Sequence, residues 1–339
     1  MVNRLDVRNL TVELPTQGGW VRPVNELSFA LNEGETLGIV GESGSGKTML
    51  SLALMGLVPP GARRKGEAWL HQRDSAADLR GINVLAASPD EMRALRGREI
   101  AMIFQEPMTA LNPVMRVGAQ IAEAIRAHHP GLSREEVDRR VIGALERAAV
   151  PEPAMRARQY PHQLSGGLRQ RAMIAMALAG DNGKAPCLLI ADEPTTALDV
   201  TVQKQILELL ARLRRDLGLA LLFITHDLGV VAQVADRIAV TYAGRIVEEG
   251  PAREVLERPR HPYTAGLLRA SPQLVRHKLE PIPGAVPSLT ALPPGCAFEP
   301  RCPLRVAECG AAMPELRAAG PGHRARCILI GNANVEHAK

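Results

Sequence analysis

The segment Gly41–Thr48, with the sequence GESGSGKT, constrains the fold of this chain more than any other feature. It stands between Thr36–Val40, an apolar run typical of a buried strand, and Met49–Met55, which is typical of a helix. Glycines at such a turn let backbone N–H groups surround a phosphate, and the helix N-terminus favours its negative charge. The segment predicts a P-loop phosphate site; the alternative is a glycine-rich turn without a ligand.

The residues of this loop have separate expected tasks. Lys47 is expected to reach the β and γ phosphates of a nucleotide, and the hydroxyl of Thr48 is expected to bind Mg²⁺. The remaining phosphate contacts are assigned to Gly41, Ser43, Gly44, Ser45 and Gly46.

A second acidic motif ends another apolar run, which begins at Cys187 and continues to Asp192 and Glu193. Taken alone, an acidic pair after a strand is more often a helix cap. In a chain with a P-loop, Asp192 is expected to hold the magnesium ion, and Glu193 is expected to polarise the attacking water. Cys187 itself is expected to be part of the core.

The run Ser165-Gly166-Gly167 precedes a long helical stretch, and it predicts a second helix N-terminus that can bind phosphate. One chain cannot easily aim two helix N-termini at the same γ phosphate. The two motifs together therefore leave open which nucleotide each one serves.

The order of apolar runs and helical segments predicts an α/β fold with a mostly parallel sheet and flanking helices. The apolar spacing of Ser133–Ala149 predicts an amphipathic helix in an inserted helical subdomain. Half of the 26 prolines and four of the five cysteines follow Gly250. We assign residues 1–250 to a nucleotide-binding domain with a helical subdomain at about 106–180, residues 251–330 to a C-terminal extension, and residues 331–339 to a flexible tail.

The overall composition argues against two other classes of protein. The net charge is +5, but acidic and basic residues are interleaved and only 3% of residues are aromatic, so no nucleic-acid partner is expected. No apolar run approaches the roughly 20 residues needed to cross a bilayer, and the first residues lack a secretory signal, so a cytoplasmic location is expected.

These motifs together resemble the ABC ATPase family over about 250 residues. The resemblance makes Ser165-Gly166-Gly167 the signature loop, Gln105 the Q-loop residue, Asp199 part of the D-loop and His226 the switch histidine. It implies an antiparallel β subdomain beside the parallel sheet, and a head-to-tail dimer in which the signature loop completes the ATP site of the partner. Leu168 departs from the family, which usually has glutamine there.

The resemblance also implies roles for single residues. His226 would contact the γ phosphate, and Gln105 would sense that phosphate and bind Mg²⁺ with Thr48 and Asp192. Trp20, in the loop GGWVRP, resembles the aromatic residue that stacks on adenine; the alternative for Trp20 is partly buried packing.

Three further segments, Phe104–Pro113, Tyr160–Ser165 and Arg260–Thr264, resemble the dipeptide and oligopeptide importer ATPases. That branch implies two transmembrane permease subunits, a second ABC ATPase that is a paralogue or an identical chain, an extracytoplasmic substrate-binding protein, and a position on the cytoplasmic face of the membrane. Importers of nickel, haem or other small solutes remain an alternative. A soluble ABC ATPase that acts on ribosomes or DNA is disfavoured, because such proteins usually carry two ATPase domains or a long coiled-coil insertion.

Four cysteines of the extension are spaced C-x5-C-x6-C-x17-C: Cys296, Cys302, Cys309 and Cys327. Stable disulfides are not expected in a cytosolic chain, so a metal is indicated. Zinc usually prefers closer cysteine pairs, whereas cysteines in proline-rich loops can surround a larger 4Fe-4S cluster, as in some members of this branch. A structural 4Fe-4S cluster is the prediction, with zinc and metal-free thiols as alternatives.

Overall fold

The computed structural model of the protein describes residues 2–72, 81–180, 185–274 and 279–330. The tail predicted at residues 331–339 lies outside these ranges. The strands are β1 (Asn3–Thr16), β2 (Gly19–Asn32), β3 (Thr36–Val40), β4 (Arg63–Leu70), β5 (Ile82–Asn83), β6 (Ile100–Ile103), β7 (Leu188–Asp192), β8 (Ala220–Thr225), β9 (Arg237–Tyr242), β10 (Arg245–Pro251), β11 (Arg317–Gly320) and β12 (His323–Ala325).

The helices are α1 (Lys47–Leu54), α2 (Pro89–Leu95), α3 (Pro107–Ala110), α4 (Val117–His128), α5 (Arg134–Arg147), α6 (Pro153–Arg156), α7 (Gly166–Ala177), α8 (Val200–Leu217), α9 (Leu228–Val234), α10 (Ala252–Glu257) and α11 (Pro262–Ala270). None of the helices in the described ranges is long and apolar enough to cross a membrane.

The chain forms two compact units that are discontinuous in sequence. The first unit contains the residues up to Leu5, Leu31–Glu35 and Leu70–Leu222. The second contains Asp6–Ala30, Thr36–Trp69 and the chain from Phe223 onward. The predicted boundary at residue 250 stays a prediction; β10 runs through it, and residues on both sides of it belong to the second unit.

The first unit combines a parallel strand pair with a group of helices. Strands β6 and β7 are parallel, and all five residues of β7 are buried, as expected for a strand covered on both faces. Helices α4, α5 and α7 contact one another and lie in the range assigned to the helical subdomain, which stays a prediction. Helix α5 confirms the helix predicted at Ser133–Ala149: the Ser133 hydroxyl caps it by accepting from the Glu136 N–H (3.2 Å).

The second unit contains the P-loop strand. Strand β3 is buried along its whole length and pairs in parallel with β9, with Leu37 opposite Arg237 and Val40 opposite Val240. Strand β1 lies between β2 and β4 in a separate sheet, and a two-residue connection joins β1 to β2. So short a connection requires an antiparallel pair, in agreement with the predicted antiparallel β subdomain.

The C-terminal extension is part of this second unit, and its strand β12 joins the sheet. Strand β10 pairs antiparallel with β9 and, through Glu248 and Glu249, with β12 of the extension. The carboxylate of Glu248 is buried and lies 2.7 Å from Nε2 of the buried His323. It also accepts from the backbone N–H groups of Arg260 (2.7 Å) and His261 (2.9 Å). One buried acid therefore connects three parts of the chain on either side of residue 250.

Candidate functional site

The P-loop follows β3 and leads into α1, as predicted, and its lysine folds back onto its own loop. The Nζ of Lys47 donates to the carbonyl oxygens of Gly41 (2.8 Å) and Glu42 (3.1 Å) and lies 3.4 Å from the Ser45 hydroxyl. Lys47 is buried, whereas Ser43, Gly44 and Thr48 are exposed. One side of the loop is therefore exposed at Ser43, Gly44 and Thr48, while the buried ammonium group of Lys47 is held by oxygen atoms of the loop.

Two glycines of this loop are required by its geometry. The φ angle of Gly46 is 93°, and a Cβ atom there would lie 1.7 Å from the carbonyl oxygen of Pro23. A Cβ atom at Gly41 would lie 2.2 Å from the carbonyl oxygen of Thr241. Both contacts are with backbone atoms, so the loop can pack this closely against its neighbours only without side chains at these positions.

Glu42, the residue after Gly41, makes contacts that were not predicted from the sequence. The carboxylate of Glu42 accepts two hydrogen bonds from the guanidinium of Arg301, at 2.7 and 3.0 Å, and its backbone N–H donates to the hydroxyl of Tyr263 (2.9 Å). Arg301 and Tyr263 belong to the C-terminal extension. No local pattern could have indicated these contacts, because 259 residues separate Glu42 from Arg301.

In the first unit, the acidic pair ends strand β7 as predicted. Asp192 and Glu193 are buried, and Glu193 has a positive φ angle of 46°. Its carboxylate accepts hydrogen bonds from the amide of Gln105 (3.1 Å) and the hydroxyl of Thr196 (2.8 Å). The structure thus brings the predicted Q-loop residue to the predicted catalytic acid. Thr196 was not predicted as part of this group.

The left-handed backbone of Glu193 is unusual for a residue with a long side chain. Such conformations cost of the order of 1 kcal/mol or more and are concentrated at functional sites. The chain turns at Glu193, directly after the last residue of β7, and the Glu193 carboxylate accepts a hydrogen bond from the Gln105 amide.

The signature loop begins helix α7 as predicted. The exposed Ser165 is the N-cap of α7, and its hydroxyl accepts from the backbone N–H of Leu168 at 3.4 Å. A Cβ atom at Gly167 would lie 2.6 Å from Cγ1 of Val202 in α8, so this glycine allows the two helices to approach closely. Asp199 caps α8 by accepting from the Val202 N–H (2.9 Å). The leucine at position 168 is compatible with the Ser165 cap, because only the backbone N–H of Leu168 donates to the Ser165 hydroxyl.

Two further predicted residues lie in the second unit with the P-loop. His226 is exposed immediately after β8. Trp20 is 43% exposed, and the guanidinium carbon of Arg63 lies over its ring, 3.9 Å from the centroid. One face of the indole is therefore engaged in a cation–π contact. The role of Trp20 in adenine binding stays a prediction.

The four cysteines of the extension line one small cavity, together with His261 and Phe298. Burial raises the pKa of Cys302 to about 11, and it also raises the pKa values of Cys296 and Cys327. Within the described residues, however, no group of three or more histidine, cysteine or acidic side chains could hold a metal ion. The predicted metal centre finds no support in this ligand geometry; the structure supports only the convergence of four thiols on one cavity. Cys187 is buried, as predicted.

Comparison with protein families gives two matches to this chain. A family described as ABC transporter matches residues 24–196, which include the P-loop, the signature loop and the acidic pair. A second family, described as the C-terminal region of oligopeptide and dipeptide transporters, matches residues 247–309.

The chain is also similar to individual proteins. Two relatives described as peptide import ATP-binding proteins, from Brucella ovis and Brucella melitensis, are each 48% identical over 337 residues, which is 96% of this chain and of each relative. Among solved structures, the dimeric ATP-binding cassette MJ0796 bound to ADP and Pi has a TM-score of 0.62 at 28% identity, covering 74% of this chain and 99% of that chain. The structure of cbiO1 from Clostridium perfringens has a TM-score of 0.61 at 26% identity, covering 76% of this chain and 92% of that one.

Proposed function

Because the chain belongs to the ABC transporter family, we propose that it is the ATP-binding and ATP-hydrolysing subunit of a membrane importer for dipeptides and oligopeptides. The observation that carries this proposal is the presence of both parts in one chain: an ATPase core with its P-loop and buried acidic pair, and a C-terminal region of the oligopeptide transporter type. Relatives that share 96% of the length and are described as peptide import proteins support the same substrate class.

In this function Glu193 polarises the water that attacks the γ phosphate. Its hydrogen bonds from Gln105 and Thr196 support the role, because they orient the carboxylate before a nucleotide arrives. Gln105 leaves this bond to meet the γ phosphate and reports its presence to the membrane subunits. His226 contacts the same phosphate from its exposed position after β8.

The P-loop residues bind the phosphates of the nucleotide. Lys47 now interacts with oxygen atoms of its own loop, and phosphate oxygens replace some of these partners when ATP binds. The exposed N-terminus of α7, with Ser165, Gly166 and Gly167, binds the γ phosphate of an ATP held by a second ATPase subunit. Each chain then supplies half of two ATP sites, and ATP closes the dimer while hydrolysis reopens it.

The donor types of this chain fit Mg²⁺, which prefers oxygen ligands. The hydroxyl of Thr48 is exposed at the start of α1, and the Asp192 carboxylate is buried at the end of β7. Thr48, Gln105 and Asp192 would hold the ion, which would neutralise part of the phosphate charge during hydrolysis.

The proposed partners are two transmembrane permease subunits, a second ABC ATPase, either a paralogue or an identical chain, and, indirectly, an extracytoplasmic substrate-binding protein. The chain would then work at the cytoplasmic face of the membrane. The dimeric form of the structurally similar cassette MJ0796 supports pairing of two ATPase subunits.

For the four thiols of the extension we propose a structural 4Fe-4S cluster, and zinc and free thiols are the two competing states. The shared cavity supports a common role for these residues, since all four cysteines line it. Anaerobically purified protein would contain iron and sulfide near four each per chain. Equimolar zinc in colourless protein, or no metal at all, would reject the cluster.

Two variants test the ATPase role. Glu193→Gln is expected to bind ATP and lose turnover, whereas Lys47→Ala is expected to lose both. Glu208→Gln is the control, because this exposed carboxylate in α8 lies 4.0 Å from Lys204 and takes no part in the site. Wild-type hydrolysis by Glu193→Gln would remove Glu193 from its role.

The substrate is tested with the assembled transporter. The chain is purified with its permease and substrate-binding subunits, the bound cargo is identified by mass spectrometry, and ATPase activity in proteoliposomes is measured with added peptides. Stimulation by short peptides supports the proposal. A bound nickel ion or haem, with no response to peptides, would assign the transporter to another solute.

A further inference from the structure

We propose that Arg301 and Tyr263 of the C-terminal extension are positioning residues of the nucleotide site, which hold the P-loop through Glu42 and thereby set its affinity for nucleotide. The proposal rests on the nucleotide-binding function proposed above. It concerns residues that lie outside every motif of the ATPase core.

The extension holds Glu42 at two points. Its carboxylate accepts a hydrogen bond from each terminal nitrogen of Arg301, in the bidentate geometry that makes arginine–carboxylate pairs strong and directional. Its backbone N–H donates to the hydroxyl of Tyr263, a fully buried side chain. The side chain and the backbone of one P-loop residue are therefore both fixed by the extension.

Arg301 is itself held firmly, so it can act as a fixed point. Its side chain is 4% exposed. Its Nε donates to the carbonyl oxygen of Pro283 (2.9 Å), and one terminal nitrogen lies 3.3 Å from the hydroxyl of Tyr242. The rings of Tyr242 and Phe298 each lie 5.9 Å from the guanidinium carbon. These contacts, together with the bond to Glu42, hold the guanidinium at several points.

The same residue, Glu42, is also in contact with the phosphate-binding lysine. Its carbonyl oxygen accepts from Nζ of Lys47 at 3.1 Å, and Gly41, the other carbonyl partner of Lys47, directly precedes it. A shift of Glu42 would therefore move the two carbonyl groups that place the ammonium group. The chain of contacts runs from Arg301 through Glu42 to Lys47 without a gap.

Charge gives a second reason for the coupling. A carboxylate in a loop that binds phosphates disfavours an anionic ligand, and the paired guanidinium offsets that charge. Without Arg301, the Glu42 carboxylate would keep its negative charge and lose the guanidinium that donates to it. The loss of Arg301 should therefore weaken nucleotide binding through both geometry and charge, and removal of the Glu42 charge should restore part of it.

The test measures the dissociation constant of trinitrophenyl-ATP, with Mg²⁺, for the full-length chain. Arg301→Gln should raise this constant about tenfold, which corresponds to about 1.4 kcal/mol of binding free energy. The double variant Arg301→Gln with Glu42→Gln should bind at least threefold more tightly than Arg301→Gln alone. A purely structural role would lower the melting temperature and leave the dissociation constant of the folded protein unchanged.

Arg305→Gln is the matched control, since this arginine lies in the same loop, is 65% exposed and approaches Glu299 at only 3.7 Å. It should bind the probe like the wild type. A folded Arg301→Gln variant with an unchanged constant would overturn the proposal, and so would a weakened variant that Glu42→Gln does not improve.

If Arg301→Gln does not fold, Tyr263→Phe decides the question, because it removes only the hydroxyl that accepts from the Glu42 N–H. Its dissociation constant should rise at least threefold, and an unchanged value overturns the proposal. Failure of the wild-type chain to bind the probe would instead contradict the proposed function itself.

Discussion

A substitution at Gly46 offers the sharpest test of the P-loop geometry. Gly44 and Gly46 both have φ angles in the left-handed region, 81° and 93°. A Cβ atom at Gly44 would meet nothing within 4 Å, whereas one at Gly46 would lie 1.7 Å from the carbonyl oxygen of Pro23. The two alanine variants therefore share the backbone strain and differ in the steric clash.

The magnitudes follow from these two terms. A left-handed backbone costs a residue with a Cβ atom roughly 1–2 kcal/mol, so Gly44→Ala should lower the free energy of unfolding by about that amount. Gly46→Ala adds the displacement of a backbone segment by more than an ångström, and overpacking of this kind costs roughly 1–3 kcal/mol more. We expect Gly46→Ala to be destabilised by about 2–5 kcal/mol in total.

Urea unfolding gives the two free energies, and trinitrophenyl-ATP binding gives the functional effect. Because Gly46 precedes the first residue of α1, its movement should also displace Lys47, and Gly46→Ala should bind the probe at least tenfold more weakly than Gly44→Ala. Equal stability and equal binding of the two variants would show that the close contact with Pro23 does not constrain the loop.

Three other predictions concern the signature loop, acid stability and the extension. Ser165→Ala and Ser133→Ala remove equivalent helix N-caps, and each should lower the free energy of unfolding by about 1 kcal/mol. Only Ser165→Ala should reduce steady-state ATP hydrolysis by the assembled transporter, by roughly 100-fold. Equal activities of the two variants would exclude a phosphate contact by Ser165. Burial lowers the pKa of His261 to about 3, so between pH 3 and the unfolded-state value near 6.5 only the unfolded chain binds the proton. The free energy of unfolding should therefore fall on acidification through this window by up to about 1.4 kcal/mol per pH unit. The variant His261→Asn should show a shallower pH dependence. Truncation after Gly250 removes β12, one of the two strands that pair with β10, and should give aggregated protein in size-exclusion chromatography. A monodisperse, cooperatively unfolding fragment would contradict this expectation.

The elements around the nucleotide site could be predicted because their signals are local. Strand β3 was predicted with the same bounds from the short run TLGIV and the glycine that follows it. Helix α1 begins two residues earlier than predicted, at Lys47, since helix ends depend on capping geometry and not on periodicity. Gln105 contacts Glu193, and the roles assigned to both residues stay predictions.

What could not be predicted depends on residues that are far apart in the chain. Nothing in the run GESGSGKT distinguishes Glu42 from a solvated loop residue, and only the folded extension brings Arg301 to it. The same holds for Glu248 and His323, which meet across 75 positions through pairing of β10 with β12. The positive φ angle of Glu193 has no sequence signal either, because residues other than glycine rarely adopt this conformation.

The pairing of β3 with β9 has a consequence for the order in which the protein is made. Leu37 leaves the ribosome 200 residues before its sheet partner Arg237. At about 5–20 residues per second, the P-loop strand waits roughly 10–40 seconds for that partner. Throughout this interval the edge of β3 that later pairs with β9 has not formed its hydrogen bonds, and Arg301 is made later still. The phosphate-binding loop is thus synthesised long before the residues that complete its surroundings.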